Sequence, residues 1–140
     1  MIKKEYDKKY FNWNGGVRVM KIFILEDSAH RIKKFKQKYK NCELTIFNDA
    51  FEAYEHLRNN GFDYDLMLLD HDLDHKIFCS KNYYNTGLKF LHKSYRIIKQ
   101  AECLKSIIIH SWNPLGAYRM KDVLRKSGKS VVWKPCKWPI

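Results

Sequence analysis

The chain has little that would anchor it or divide it. No apolar run approaches the ~20 residues needed to cross a membrane, and the lysine-rich N-terminus lacks the apolar segment of a signal peptide. A cytoplasmic protein with no membrane role is expected. No stretch rich in Gly, Ser and Pro interrupts the 140 residues, and 45% of them are hydrophobic, so a single main domain with its own core is expected. The cysteines, Cys42, Cys79, Cys103 and Cys136, form no CxxC pair and no metal-finger spacing, which fits reduced thiols rather than a zinc module. Acidic residues are the scarce charge. With 15 Asp and Glu against 27 Lys and Arg, the formal net charge is +12, which favours an anionic partner such as a nucleotide or nucleic acid. No helix-turn-helix or zinc-finger pattern localises that charge, so specific binding of duplex DNA is not expected.

Where acids are few, their clustering carries information. Leu66-Met67-Leu68-Leu69 runs straight into Asp70-His71-Asp72-Leu73-Asp74, which reads as a buried central strand that ends in polar groups. In open α/β sheets ligands sit beyond the carboxyl ends of strands, so such an end is where a site is expected. Three other apolar runs end the same way: Lys21–Leu25 in Glu26-Asp27, Ser106–Ile109 in His110-Ser111, and Ser130–Trp133 in Lys134-Pro135. Leu44–Phe47 supplies one more strand.

Helical patterns fill the gaps. Ser28 caps a helix with Ile32, Phe35 and Tyr39 on its apolar side and lysines on the other. Asp49 with Glu52 opens a second helix that stops near Asn60-Gly61. Leu88, Leu91, Tyr95 and Ile98 mark a third between Gly87 and Gln100. Asn113-Pro114 is a strong start signal for a fourth, buried through Met120, Val123 and Leu124 and stopped by Gly128. Five strands alternating with four helices predict a parallel sheet with helices on both faces, in the order 2-1-3-4-5 counted from Lys21. Residues 1–19, aromatic and basic with a turn signal at Asn12–Gly16, form an extension, either an arm or a hairpin, before a domain of 20–140. Asp74 to Asn85 is a polar, aromatic loop, either a lid or a surface excursion.

The predicted order gathers Glu26, Asp27, Asp70, His71, Asp72, His110, Ser111 and Lys134 at one sheet edge. Any one has a plain structural explanation; all of them at the ends of four strands point to a functional site. His30, His56, His75 and His92 fall on helix faces or in the loop and are read as structural.

Glu26-Asp27, Asp70, Ser111 and Lys134-Pro135 resemble the pattern of response-regulator receiver domains, from Met20 to Pro135. The resemblance implies a flavodoxin/receiver-like fold, Mg²⁺ held by Glu26, Asp27 and Asp70, and a phosphoryl group contacted by Lys134 and Ser111. The chain departs from that pattern at His71, Asp72 and His110, and with few residues after Pro135 the family's fifth helix is expected to be missing. Leu25-Glu26-Asp27, Leu69-Asp70-His71-Asp72-Leu73, Thr86-Gly87 and Ile109-His110-Ser111-Trp112-Asn113-Pro114-Leu115-Gly116-Ala117 are similar to a narrower group, the cyclic-phosphate-processing receiver-like domains. That resemblance implies hydrolysis of a cyclic phosphate.

The residues could supply such chemistry. Glu26, Asp27, Asp70 and Asp72 would hold a divalent ion, Mg or Mn, since carboxylate oxygens suit hard cations. His71 and His110 would act as base and acid, in an order the sequence leaves open. Lys134, Ser111 and the helix start at Asn113 would face the phosphate oxygens. Two functions therefore stand side by side: a metal-assisted phosphodiesterase acting on a 2′,3′-cyclic RNA end or a cyclic nucleotide, or a non-catalytic receiver-like module phosphorylated on Asp70 or binding a nucleotide.

Overall fold

A computed structural model of the chain describes residues 10–13, 16–73 and 85–135. β1 (Tyr10–Trp13) and β2 (Gly16–Val19) pair antiparallel with Trp13 opposite Gly16, so the described part of the extension pairs as a hairpin. The domain then runs β3 (Lys21–Leu25), α1 (Ala29–Lys38), β4 (Glu43–Phe47), α2 (Ala50–Asn60), β5 (Leu66–Leu69), α3 (Gly87–Gln100), β6 (Ser106–Ile109), α4 (Pro114–Leu124) and β7 (Ser130–Trp133). Its five strands are all parallel, in the order β4-β3-β5-β6-β7, which is the 2-1-3-4-5 arrangement expected from Lys21 onward. The loop expected from Asp74 to Asn85 lies, except for Asn85, outside the described residues.

Local chemistry explains the boundaries. Ser28, Asp49, Thr86 and Asn113 each accept the backbone N–H three residues on, which satisfies one of the amides that a helix start leaves without a partner. Gly61 takes φ 78° at the end of α2, a left-handed conformation that other residues adopt at a cost.

Side chains alternate across the sheet and so sort into two cores. Phe23, Leu25, Met67, Leu69, Ile107 and Ile109 pack with Leu57 of α2, Leu91 of α3 and Met120 of α4. Ile22, Ile24, Leu66 and Leu68 pack on the other face with Tyr39 and Phe35, beside α1. Three helices therefore cover one face and a single helix the other. β5, between β3 and β6, is buried on both faces, which is why its sequence is unbroken Leu-Met-Leu-Leu. Among the described residues there are four domain helices, and Val132 on edge strand β7 is 47% exposed.

Arg18 of the hairpin ties it to a carboxylate of the domain. Arg18 donates to both oxygens of Asp65, with Nη1 to Oδ2 at 2.9 Å, and the Lys21 amide donates to the same Oδ2 at 2.8 Å. Asp65 lies just before β5, so the pairing fixes where β2 leads into β3.

Candidate functional site

The ladder of the sheet continues one residue past its named strands. Asp70 N–H donates to Leu25 O at 3.0 Å, His110 N–H to Leu69 O at 2.9 Å, and Lys134 N–H to Ile109 O at 2.8 Å. Glu26, Asp70, His110 and Lys134 thus form one row across four strands. By alternation Glu26, Asp70 and His110 follow Ile24, Leu68 and Ile108 onto the face that carries α1. His71, one residue further, turns to the opposite face, under α4.

On the α1 face the row closes into a buried polar cluster. Glu26 is fully buried, and Asp70 and His110 are each 2% exposed. The carboxylate of Glu26 accepts from His110 Nε2 at 2.7 Å, from Arg31 Nε at 2.9 Å and Nη2 at 3.1 Å, and from the amides of Asp27 and Ser28 at 3.0 and 2.9 Å. Burial alone would raise its pKa, but the His110 hydrogen bond and charge, followed by Arg31, outweigh burial and hold it at about 2. Asp70 goes the other way. Its Oδ1 accepts from the His71 amide at 2.8 Å and its Oδ2 from Arg31 Nη2 at 3.3 Å. Burial, followed by the negative charge of Glu26, pushes its carboxyl up to about 7 against the pull of His110, Arg31 and the His71 amide. An ionised Glu26 receives the Nε2 proton of His110, whose Nδ1 is buried with no hydrogen-bond partner among the described residues. The Phe35 ring meets the imidazole edge-on at 5.0 Å.

On the α4 face His71 Nδ1 lies 3.0 Å from Asp72 Oδ1, and Asn113 Nδ2 reaches the same oxygen at 3.2 Å. Asn113 Oδ1 accepts from the Gly116 amide at 2.9 Å as the helix cap, which fixes the amide so that its nitrogen faces Asp72. Two donors therefore converge on one carboxylate oxygen, and this network assigns the proton of His71 to Nδ1. Its Nε2 is buried and without a partner among the described residues. Gly116 makes the packing feasible: a Cβ there would lie 2.6 Å from His71 Cγ. Gly87 does the same for the main chain, where a Cβ would come within 2.0 Å of the Asp70 carbonyl oxygen, while its amide donates to His71 O at 2.9 Å.

The remaining expected residues fall around these two clusters. Asp27 is half-buried just before α1, and its amide serves Glu26. Ser111 is buried, and its Oγ accepts from the Asn113 amide at 3.0 Å while its carbonyl accepts from Trp133 Nε1 at 2.7 Å. Ser111 and Asn113 thus direct these hydrogen bonds into the fold. Lys134 is exposed at the end of β7 and pairs with no carboxylate among the described residues. Arg31 was not expected at all. It is the one arginine in a helix otherwise rich in lysine, three residues past the cap, and it supplies the positive charge between Glu26 and Asp70.

Glu26, Asp70 and His110 are also the described groups whose ligand atoms lie within 4.8 Å of one another, close enough to share an ion. Asp27 and Asp72, expected beside Glu26 and Asp70, are outside this group, Asp72 because it faces α4. Carboxylate oxygens with an imidazole nitrogen suit a divalent cation. As arranged, however, the set does not fit one. Glu26 already receives five N–H donors on a carboxylate with about four lone-pair sites, and the facing nitrogen of His110 is one of those donors.

The model of the family described as cyclic-phosphate processing receiver domain matches residues 20–126, which spans both clusters. The chain belongs to that family. No curated protein matches it. Among solved structures it is similar to the Mn²⁺-bound form of response regulator Rcp1, at 18% identity over 86% of this chain and 84% of that one, with a TM-score of 0.58. A CheY-like receiver domain from Methanospirillum hungatei gives 17% identity, 86% and 85% coverage and a TM-score of 0.55. Response regulator TrrA from Thermotoga maritima, in complex with Mg²⁺-BeF, gives 15%, 86% and 90%, and 0.53. At these identities the neighbours establish the receiver fold, and the family match links it to cyclic phosphates. No helix among the described residues is long and apolar enough to cross a membrane.

Proposed function

We propose that this receiver-like domain hydrolyses a cyclic phosphodiester, a 2′,3′-cyclic RNA end or a cyclic nucleotide, with His71 and His110 moving the protons. One observation carries the reading. Each imidazole is held by a carboxylate through one nitrogen, His71 by Asp72 and His110 by Glu26, and each keeps its other nitrogen buried and unpartnered among the described residues. A buried polar atom without a partner costs about 1–3 kcal/mol, so a histidine with a merely structural task would be expected to satisfy both nitrogens.

In-line displacement at phosphorus places the entering and leaving oxygens on opposite sides. Imidazoles on opposite faces of neighbouring strand ends suit that requirement better than two on one face. One takes a proton from the attacking water as the water oxygen bonds to phosphorus. The other gives a proton to the ring oxygen as its bond to phosphorus breaks, leaving a phosphomonoester and a hydroxyl. Asp70, whose carboxyl stays partly protonated near neutrality, lies in the strand row beside His110 and can exchange the proton that resets the pair. Lys134 and the amino end of α4 offer positive charge to the non-bridging oxygens. A divalent cofactor, Mg or Mn, is an addition to be assayed, and no step here runs through it.

The test uses RNA ending in a 2′,3′-cyclic phosphate and 2′,3′- and 3′,5′-cyclic mononucleotides, each with and without Mg²⁺ or Mn²⁺. His71→Ala and His110→Ala should each lower kcat by ~10²-fold or more with KM little changed, the scale of acid–base groups. Asp70, directly after the central strand of a receiver-like sheet, also supports a second reading as a phosphoryl acceptor. Labelling of Asp70 by acetyl phosphate, with no hydrolysis of any cyclic phosphate, would sink the enzyme and leave a phosphorylated module.

A further inference from the structure

We infer that Arg31 is the resident cation of the Glu26–Asp70 pair, and that a divalent ion reaches those carboxylates only by displacing its guanidinium. The inference goes beyond the proposed hydrolysis and stands whether or not the domain turns over a cyclic phosphate. Arg31 grips Glu26 with two nitrogens, Nε on Oε1 and Nη2 on Oε2, and the same Nη2 reaches Asp70 Oδ2 at 3.3 Å. This is the fork geometry by which arginine holds carboxylates, and a lysine ammonium, a single point of charge, does not reproduce it.

The two carboxylates are adjacent in the strand row and buried, so a positive charge between them is required if either is to ionise. Arg31 provides it by occupying the oxygen atoms an ion would need. Glu26 has no lone pair left while Arg31 and His110 are in place. Asp70, with one donor on each oxygen, is the group an incoming ion would meet first. Arg31 also has a way out. Its side chain is 20% exposed on the first turn of α1, whereas the carboxylates beneath it are closed off.

Competition predicts that removing the guanidinium exposes a cation site. Mn²⁺ affinity should be read from the electron paramagnetic resonance of the free ion, at fixed pH, for the wild-type chain, Arg31→Met, Arg31→Lys and the double variant Arg31→Met with Asp70→Asn. Arg31→Met should bind Mn²⁺ about tenfold more tightly than wild type or better, since a buried carboxylate pair left without its cation attracts another. Arg31→Lys should fall between them, and the double variant should lose the gain. Equal or weaker binding by Arg31→Met, or no binding by any of these chains, overturns the inference. A wild-type measurement covers the event that Arg31→Met does not fold. On Mg²⁺ titration the Arg31 Nε–H resonance should move with the same midpoint as the Asp70 and His71 amides. Movement of those amides with Arg31 Nε–H unchanged would mean that ion and guanidinium sit together, and that too overturns it.

Discussion

Asp70 sits where burial and a neighbouring carboxylate both oppose its charge, so Asp70→Asn should make the protein more stable at alkaline pH. The folded-state pKa of about 7 lies above the ordinary 3.8, so the native state binds the proton more tightly than the unfolded chain. Stability is therefore at its full value below about pH 4, falls between there and pH 7, and stays reduced above. From about 3.8 to about 7, at about 1.4 kcal/mol for each pH unit, the whole loss is about 4 kcal/mol. Asparagine carries no charge and can still accept from the His71 amide, but its nitrogen would oppose Arg31 Nη2 and lose that bond, worth about 1.5–3 kcal/mol. The net gain at pH 8 is about 2 kcal/mol. A cleaner quantity is the change with pH, because the lost Arg31 bond cancels. Relative to wild type, Asp70→Asn should gain about 3 kcal/mol between pH 5 and pH 8. Urea unfolding of both chains at the two pH values, with a chelator present, measures it. A variant less stable by the same amount at both would show that Asp70 is fully ionised and compensated in the fold, and the account of its proton given above would be wrong.

Gly116→Ala should displace the His71 ring from Asp72, because the added methyl would lie 2.6 Å from Cγ and 2.7 Å from Nδ1. Cyclic-phosphate turnover should fall by ~10²-fold while stability drops by only about 1 kcal/mol, the overpacking cost being partly offset by alanine's helix propensity; the imidazole nitrogen shifts of His71 report the lost tautomer, and unchanged shifts would remove Gly116 from the site. A chain beginning at Met20 should fold and keep any activity found, losing about 1 kcal/mol with the Arg18–Asp65 pairing. Insolubility of that chain would make the hairpin part of the domain.

The fold was legible because each element carries its own punctuation. Asn113-Pro114 and Asp49 with Glu52 mark helix starts that side-chain acceptors then fulfil, and Leu66–Leu69 reads as a central strand because both of its faces are covered. The strand ends were legible for the same reason: an apolar run that stops at a charge leaves the charge at the edge. What the reading lacked was the register that joins one edge residue to the next. Asp27 and Asp72 look equivalent to Glu26 and Asp70 when the carboxylates are counted along the chain, but Asp27 is one residue out of phase with Glu26, and Asp72, two residues past Asp70 and beyond the end of β5, turns to His71 and Asn113 instead. Arg31 was missed because a basic residue in a helix of lysines reads as a solvated face. Its type, arginine rather than lysine, and its place in the first turn beyond Ser28 were the available signal.

The phase of the pleat also bears on how the two histidines differ. Asp70 and His71 are consecutive, so if Asp70 faces α1 then His71 faces α4; His110 is in register with Asp70 and must join it. The two imidazoles are therefore set in unlike surroundings by strand geometry alone. His110 shares its side of the sheet with two carboxylates and a guanidinium, and any change in the charge of Asp70 is felt there first. His71 is held by Asp72 and Asn113 against a glycine that exists to admit its ring, at a distance from that charge set by the thickness of the strand. Which groups surround each imidazole follows from the face it occupies, and that difference would be lost by any one-residue slip of β5 against β6.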